Sequence, residues 1–175
     1  MTYYPEADPV YKSTKTVAVG DAIGGALIYE CFDIVGSVEI VGLWGVFTNT
    51  SQVVTVSGCG WDIGGLGGTA DLTDTAVGTD CSGVLAGSIL AKTDLTGVAA
   101  SLADKAGYDV IDVTVPASVL CPVLASPKKE ASATIGFHVT VDADTDCEIE
   151  FFCLWKKRSS DASVTPGSGN TRGGV

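Results

Sequence analysis

The sequence predicts an all-β protein: an antiparallel β-sandwich, jelly-roll-like, with about eight strands and at most one short helix. Short runs of alternating apolar and polar residues recur along the chain, separated by Gly, Asp, Asn and Pro. Gly is abundant at 22 of 175 residues, and Val and Thr are frequent, which favours strands joined by turns. Helical periodicity is nearly absent.

The elements follow from this alternation in chain order. A helix of one or two turns is predicted at the Ala-rich residues 94–107, and a long loop rich in Gly, Thr and Asp at 59–83. One domain, residues 13–158, is predicted between an N-terminal arm at 1–12 and a flexible C-terminal tail at 159–175, whose composition is typical of linkers. The predicted strands are residues 14–19, 25–32, 38–48, 53–57, 83–90, 108–115, 131–141 and 147–155.

The last two predicted strands are interpreted as a hairpin with the acidic tip DADTD at residues 142–146. The alternate aspartates have the spacing that opens an EF-hand calcium loop. Such a loop needs Gly at its sixth position and Glu at its twelfth, where this chain has Cys147 and Cys153. An EF-hand is therefore excluded. A weak calcium site of another kind stays open, but no metal and no cofactor are expected.

Charge and composition exclude several classes of protein. A formal charge of −11 repels nucleic acid and anionic membranes, so neither is expected as a partner. No apolar run reaches the roughly 18 residues of a membrane helix, and the N-terminus has no export signal. The six cysteines show no CxxC pair and no His partners, so we expect them to be reduced and buried. Disulfide bonds are the alternative, and the sequence does not choose among the possible pairings.

Catalytic motifs are also missing, and the chain is predicted not to be an enzyme. The single histidine, His138, lies on the polar face of its strand, with no nucleophile elbow near it in sequence. The glycine-rich stretch at 64–71 lacks the Lys-Ser/Thr of a phosphate-binding loop. Aspartates are numerous, but no pair stands out as the carboxylates of a glycosidase.

Four stretches carry a resemblance to a known group of proteins: VAVGDAIGGALIYECF (17–32), GSVEIVGLWGVFTNT (36–50), YDVIDVTVP (108–116) and ATIGFHVTVDADTDCEIEFFCLWKK (133–157). The chain resembles small virion proteins of tailed bacteriophages, of the jelly-roll decoration or head-fibre type. The resemblance implies a capsid decoration or cement subunit without catalytic residues, made in the host cytoplasm and placed on the outer surface of the virion. The major capsid protein and further copies of the chain, for example in a trimer, are the implied partners.

A carbohydrate-binding β-sandwich, of the phage-fibre or surface-lectin type, is the alternative. Sugar stacking requires exposed aromatic residues in loops or on a sheet face. Trp44 and Trp155 are predicted to be core residues, which leaves Trp61 as the loop tryptophan, with Tyr108 as a further candidate.

The predicted working surface is an assembly interface. Along 147–155 the outward positions change from Glu148 and Glu150 to the apolar Phe152 and Leu154. Along 38–48 the alternation assigns Trp44 and Val46 to the core side, and Leu43 and Phe47 to the opposite side. A sheet that is apolar on both faces needs a second cover, from another subunit or from the 59–83 loop of the same chain. The predicted interface residues are Phe152, Leu154, Leu43 and Phe47.

Overall fold

A computed structural model describes residues 9–19, 27–50, 58–65, 68–73, 78–92, 101–103, 123–125, 132–139, 147–168 and 171–173. Within these residues the secondary structure is all β, with no helix. The twelve strands are β1 Tyr11–Val19, β2 Leu27–Val35, β3 Val38–Thr50, β4 Gly60–Gly65, β5 Gly68–Asp71, β6 Ile89–Ala91, β7 Ser101–Ala103, β8 Val123–Ala125, β9 Ser132–Val139, β10 Cys147–Lys157, β11 Ser163–Pro166 and β12 Thr171–Gly173.

The strands form two antiparallel sheets. The first sheet has the order β1-β10-β3-β6-β7, and β8 also pairs with β3. The second sheet has the order β11-β2-β9-β4-β5, and β12 also pairs with β2. Side chains from both sheets meet in one core, so the predicted antiparallel β-sandwich is confirmed.

The core is apolar and rich in aromatic rings contributed by both sheets. Phe137 on β9 and Phe151 on β10 come from opposite sheets, and their ring centroids lie 4.8 Å apart. Trp61 on β4 packs against both rings, at 5.7 Å from Phe137 and 6.3 Å from Phe151. These contacts bind the two sheets together, because aromatic pairs bury large areas and add about 0.5–1.5 kcal/mol each.

The predicted hairpin between the last two long strands was wrong. β9 pairs with β2 and β4 in the second sheet, whereas β10 pairs with β1 and β3 in the first. The chain therefore crosses from one sheet to the other between them, and the acidic tip itself lies outside the described residues. Alternation identifies the inward face of a strand but not its neighbour, and two strands facing each other across a core show the same pattern as a hairpin.

The predicted long loop at 59–83 was also wrong, since β4 and β5 lie within it. The glycines of β4 led to the prediction of a loop, because Gly is depleted in strands and is typical of turns. The predicted strand at 83–90 is a strand only at its end, in β6. Its beginning forms turns, with positive φ angles at Gly83 (76°) and Gly87 (95°).

Both predicted termini are more ordered than expected. β1 takes in the last two residues of the predicted N-terminal arm. The predicted flexible tail contributes β11 and β12 to the second sheet, and its Val164 is only 5% exposed. Backbone pairing with β2 orders this segment, which composition alone cannot reveal. Within the predicted helix, Ser101–Ala103 form β7. The remaining residues of that segment, like the predicted strands at 53–57 and 108–115, lie outside the described residues.

Candidate functional site

The outer face of the first sheet, which points away from the core, is the candidate site. On β10 the buried residues Ile149, Phe151 and Cys153 point inward. Phe152 and Leu154 alternate with them and lie half-buried on the outer face. The change from polar to apolar residues along β10 therefore occurs on the face that points away from the core.

On β3 the prediction assigned the wrong residues to this face. Leu43 and Phe47 are core residues, 2% and 0% exposed, and Trp44 and Val46 lie half-buried on the outer face. The cause is a β-bulge at Val41.

The pairing register locates this bulge. Leu154 lies opposite Gly42 and Trp155 lies opposite Ile40, so Val41 is an extra residue with no counterpart on β10. One extra residue reverses the inward and outward assignment of the residues that follow it, here as far as Phe47, because the register shifts again at Thr48. The bulge places Trp44, rather than Leu43, beside Phe152.

An aromatic stack lies at the centre of the face. Phe152 is directly opposite Trp44 in the register, and the two rings are stacked with centroids 5.1 Å apart and planes at 9°. The Lys12 ammonium lies 4.6 Å from the Phe152 ring centroid. Because β10 runs between β1 and β3, Lys12 and Trp44 approach Phe152 from opposite sides. Both faces of the Phe152 ring are therefore occupied.

Aliphatic side chains extend the stack on both sides. Val46 pairs with Ile89 of β6, and Trp44 pairs with Ala91. Gly42 leaves room beside the stack, since a Cβ there would meet the Trp44 ring at 3.4 Å and Leu154 at 3.7 Å. We call this half-buried surface the outer patch: Trp44, Val46, Ile89, Ala91, Phe152 and Leu154.

Charges of opposite sign flank the outer patch at its two ends. Glu148 and Glu150 lie at the start of β10. Lys156 lies toward the other end of β10, and Lys12 is opposite Leu154 at that same end.

Beyond the lysines, Arg158 forms an ion pair with Glu39, and its Nε donates to a Glu39 carboxylate oxygen at 2.7 Å. This pair is neutral as a unit. The patch therefore has an acidic end and a basic end.

The second sheet shows no comparable surface among its described residues. His138 is on its outer face, as the alternation predicts, and its Nδ1 is buried without a hydrogen-bond partner. Its neighbours in the register, Ile28 and Gly60, supply no nucleophile for it to activate. No group of three or more His, Cys, Asp or Glu side chains in the described part of the chain could hold a metal ion.

Trp61 does not form a sugar-binding surface, contrary to the prediction of an exposed loop tryptophan. It lies on β4, is fully buried, and packs in the aromatic core. Trp155 is in the core, as predicted, and its Nε1 donates to Ser13 Oγ at 3.1 Å. Trp44, predicted to be a core residue, is half-exposed on the outer patch instead. Tyr108 lies outside the described residues.

The cysteines with described side chains are buried: Cys31, Cys59, Cys81 and Cys153. Burial raises the pKa of the Cys153 thiol to about 12. A thiol with that pKa stays protonated at neutral pH, and the protonated form is neither a nucleophile nor a metal ligand. Cys153 therefore acts as a small apolar core residue.

No family model, no curated protein and no solved structure matches this chain. A separate finding is that no helix among the described residues is long and apolar enough to cross a membrane.

Proposed function

We propose that the protein is a non-enzymatic structural subunit of a virion, a decoration or cement protein on the outer capsid surface that works through protein–protein contacts. The outer patch is the observation that carries this proposal. Sandwich folding buries only the inner face of each sheet, so an apolar centre on an outer face is more than the fold requires.

The composition of the patch supports a role in association. Phe152 and Leu154 are already half-buried, so a partner that covers them gains part of the roughly 1.5–3 kcal/mol of full burial. Large aromatic side chains such as Trp44 are among those that dominate interface energetics. The patch also combines an aromatic centre with charges at its rim, the usual anatomy of a protein–protein interface.

The strand order supports a jelly roll, the architecture of many capsid and lectin domains. Consecutive strands β1 to β4 alternate between the sheets. The set β1-β10-β3-β6 faces the set β2-β9-β4-β5, so strands from the two ends of the chain are neighbours in each sheet. The formal charge of −11 favours a position on the outside of a shell, away from packaged DNA.

A carbohydrate-binding role finds less support in the geometry of the patch. A sugar stacks on an open ring face, and Trp44 and Lys12 already cover the two faces of Phe152. Trp44, which is partly exposed, is one aromatic residue that such a role would use.

The proposal is tested on virus particles from the source of the sequence. The particles are purified on a density gradient, stripped of peripheral proteins, and incubated with the recombinant chain. We expect the chain to be present in the native particles in fixed stoichiometry and to rebind the stripped shells. Absence from particles, or retention on a glycan array without shell binding, contradicts the proposal.

A matched pair of variants tests whether shell binding depends on the outer patch. Phe152→Glu with Leu154→Asp places two acids in the patch. The control, Val35→Glu with Leu85→Asp, makes the same chemical change at two exposed apolar residues outside it, which are 37% and 49% exposed. Rebinding should be lost in the first variant and kept in the second.

A further inference from the structure

We propose that the outer patch binds a second copy of this chain, face against face, with the two β10 strands antiparallel and a two-fold axis passing beside Phe152. The inference deepens the proposed function by naming a partner for the same surface, and it rests on that function for its biological setting. The symmetry of the charges along β10 carries it.

The charges are placed evenly about Phe152. Glu148 lies four residues before it and Lys156 four residues after it, both on the outer face. At about 3.3 Å per residue, each charge is roughly 13 Å from the centre. A two-fold rotation about an axis across the strands at Phe152 places Glu148 of one copy over Lys156 of the other. The second pair, Lys156 over Glu148, follows from the symmetry.

A second set of charges is placed about Phe152 in the same way. Glu150 is two residues before Phe152, and Lys12 is opposite Leu154, two residues after it. The same rotation brings Lys12 of each copy to the level of Glu150 on its partner, one strand away. The ion pair of Arg158 with Glu39 is neutral as a unit and does not alter this balance.

Charge also selects the antiparallel arrangement over the parallel one. With parallel β10 strands, Glu148 would face Glu148 and Lys156 would face Lys156, and like charges placed together disfavour an interface. A two-fold interface requires a surface that is complementary to itself. The outer patch meets this condition, with an apolar centre and an acidic end that matches a basic end.

The area of the face is that of a small interface. Four strands at about 4.8 Å spacing and eight residues at about 3.3 Å give a face of about 19 by 26 Å. That is about 500 Å² of flat area per partner before side-chain relief is counted, against the ~800 Å² of accessible surface that each partner buries in a standard interface. Self-association should therefore depend on concentration over an ordinary experimental range.

The experiment is sedimentation equilibrium of the full chain over a concentration series, with two charge-reversal variants. Glu148→Lys with Glu150→Lys makes both ends basic, and Lys12→Glu with Lys156→Glu makes both ends acidic. We expect the parent to form a dimer. Each variant alone should associate roughly a hundredfold more weakly or worse, since like charges then meet at both ends. An equimolar mixture of the two variants should restore the dimer, since every contact again joins opposite charges.

Three outcomes would overturn the inference: a monomeric parent, a trimer or higher oligomer, or charge variants that dimerise alone as well as the parent. A mixture that stays monomeric while both variants show the parent's circular dichroism would do the same. Shell rebinding, measured on the same proteins, separates this inference from the proposed function. If the parent is monomeric but binds shells, the proposed dimer is refuted and the proposed function stands.

Discussion

The outer faces of the two sheets differ, although their inner faces are alike. An inner strand of the first sheet, β10, presents Phe152 and Leu154 outward. The central strand of the second sheet, β9, presents Thr134, Gly136 and His138 in the corresponding direction. Both strands bury a continuous apolar face inward. The fold therefore explains the inner faces. For the apolar outer face of the first sheet we propose contact with another protein.

Neighbours of the second sheet's central strand reinforce the contrast. Asp33 lies opposite Thr134 and accepts a hydrogen bond from its hydroxyl at 3.2 Å. Glu30 and Asp62 lie on either side of Gly136. The described residues of this face form no apolar centre like the outer patch.

The largest expected effect compares two adjacent residues of β3 on opposite sides of the first sheet. Phe47→Ala should lower the free energy of unfolding by about 3–5 kcal/mol, because Phe47 is fully buried and its loss leaves a cavity. Val46→Ala, on the outer patch, should cost about 1 kcal/mol or less. Urea denaturation of the two variants measures both. Equal losses would mean that the outer patch is part of the core.

The next effect concerns the turn between the sheets, where the C-terminal segment returns to the second sheet. Gly36 has a φ of +67°, and a Cβ there would lie 2.6 Å from Ser159 Oγ and 2.7 Å from an Asp161 oxygen. Gly36→Ala should therefore destabilise the protein by about 1–3 kcal/mol.

Gly83→Ala is the matched control for this turn. Gly83 also has a positive φ, +76°, but a Cβ there meets nothing within 4 Å. Its thermal shift should reflect backbone strain alone and be the smaller of the two. A larger shift at Gly83 would show that the contact with the C-terminal segment does not stabilise this edge.

A pH effect is expected from the thiol on the inner side of β10, between the two patch residues. The pKa of Cys153 is raised from 9.0 to about 12 by burial, so the folded state holds its proton more tightly than the unfolded state. The contribution of the protonated thiol to the free energy of unfolding is complete below pH 9 and decreases as the pH rises toward 12. One pKa unit corresponds to about 1.4 kcal/mol, so stability should fall by roughly 1 kcal/mol between pH 9 and pH 10.

Cys153→Ala is the comparison for this pH effect. It removes the titrating group, and the fall in stability between pH 9 and pH 10 should become correspondingly shallower. An unchanged pH profile would show that Cys153 is not shielded by the core.

The smallest effect is expected on the outer patch itself. Lys12→Met keeps an apolar stem of similar length and removes the ammonium above the Phe152 ring. The free energy of unfolding should fall by about 0.5–1 kcal/mol, the range of an exposed cation–π contact. A thermal melt of the monomer at low concentration measures it. A loss of several kcal/mol would mean that Lys12 is part of the fold's structural core.

Local alternation made the fold class and much of the core predictable from the sequence. Phe137 and Phe151 were assigned correctly to inward faces, because their strands alternate without interruption. The same rule failed on β3, where the bulge at Val41 reverses the pattern halfway along the strand. It exchanged Leu43 and Phe47 for Trp44 and Val46. The isolated Gly42 beside the bulge was the available signal, since Gly inside a strand often marks a bulge.

Long-range pairing accounts for the remaining errors. β9 and β10 belong to different sheets, and β11 and β12 are ordered by pairing with β2 far earlier in the chain. Neither property resides in the local sequence of those segments. The charges at the ends of the outer patch show the same limit. Glu148 and Lys156 can be placed on one face of β10 from the sequence, but the position of Lys12 opposite Leu154 is known only from the register of β1.

The most direct test of the account measures folding and association together in the patch variant Phe152→Glu with Leu154→Asp. Circular dichroism and urea denaturation report on the fold, and sedimentation reports on assembly, with Val35→Glu/Leu85→Asp as the control. We expect the patch variant to keep the parent's β spectrum and most of its stability but to sediment as a monomer, while the control associates like the parent. A patch variant that unfolds, or that associates like the parent, would contradict the claim that the outer patch is a contact surface.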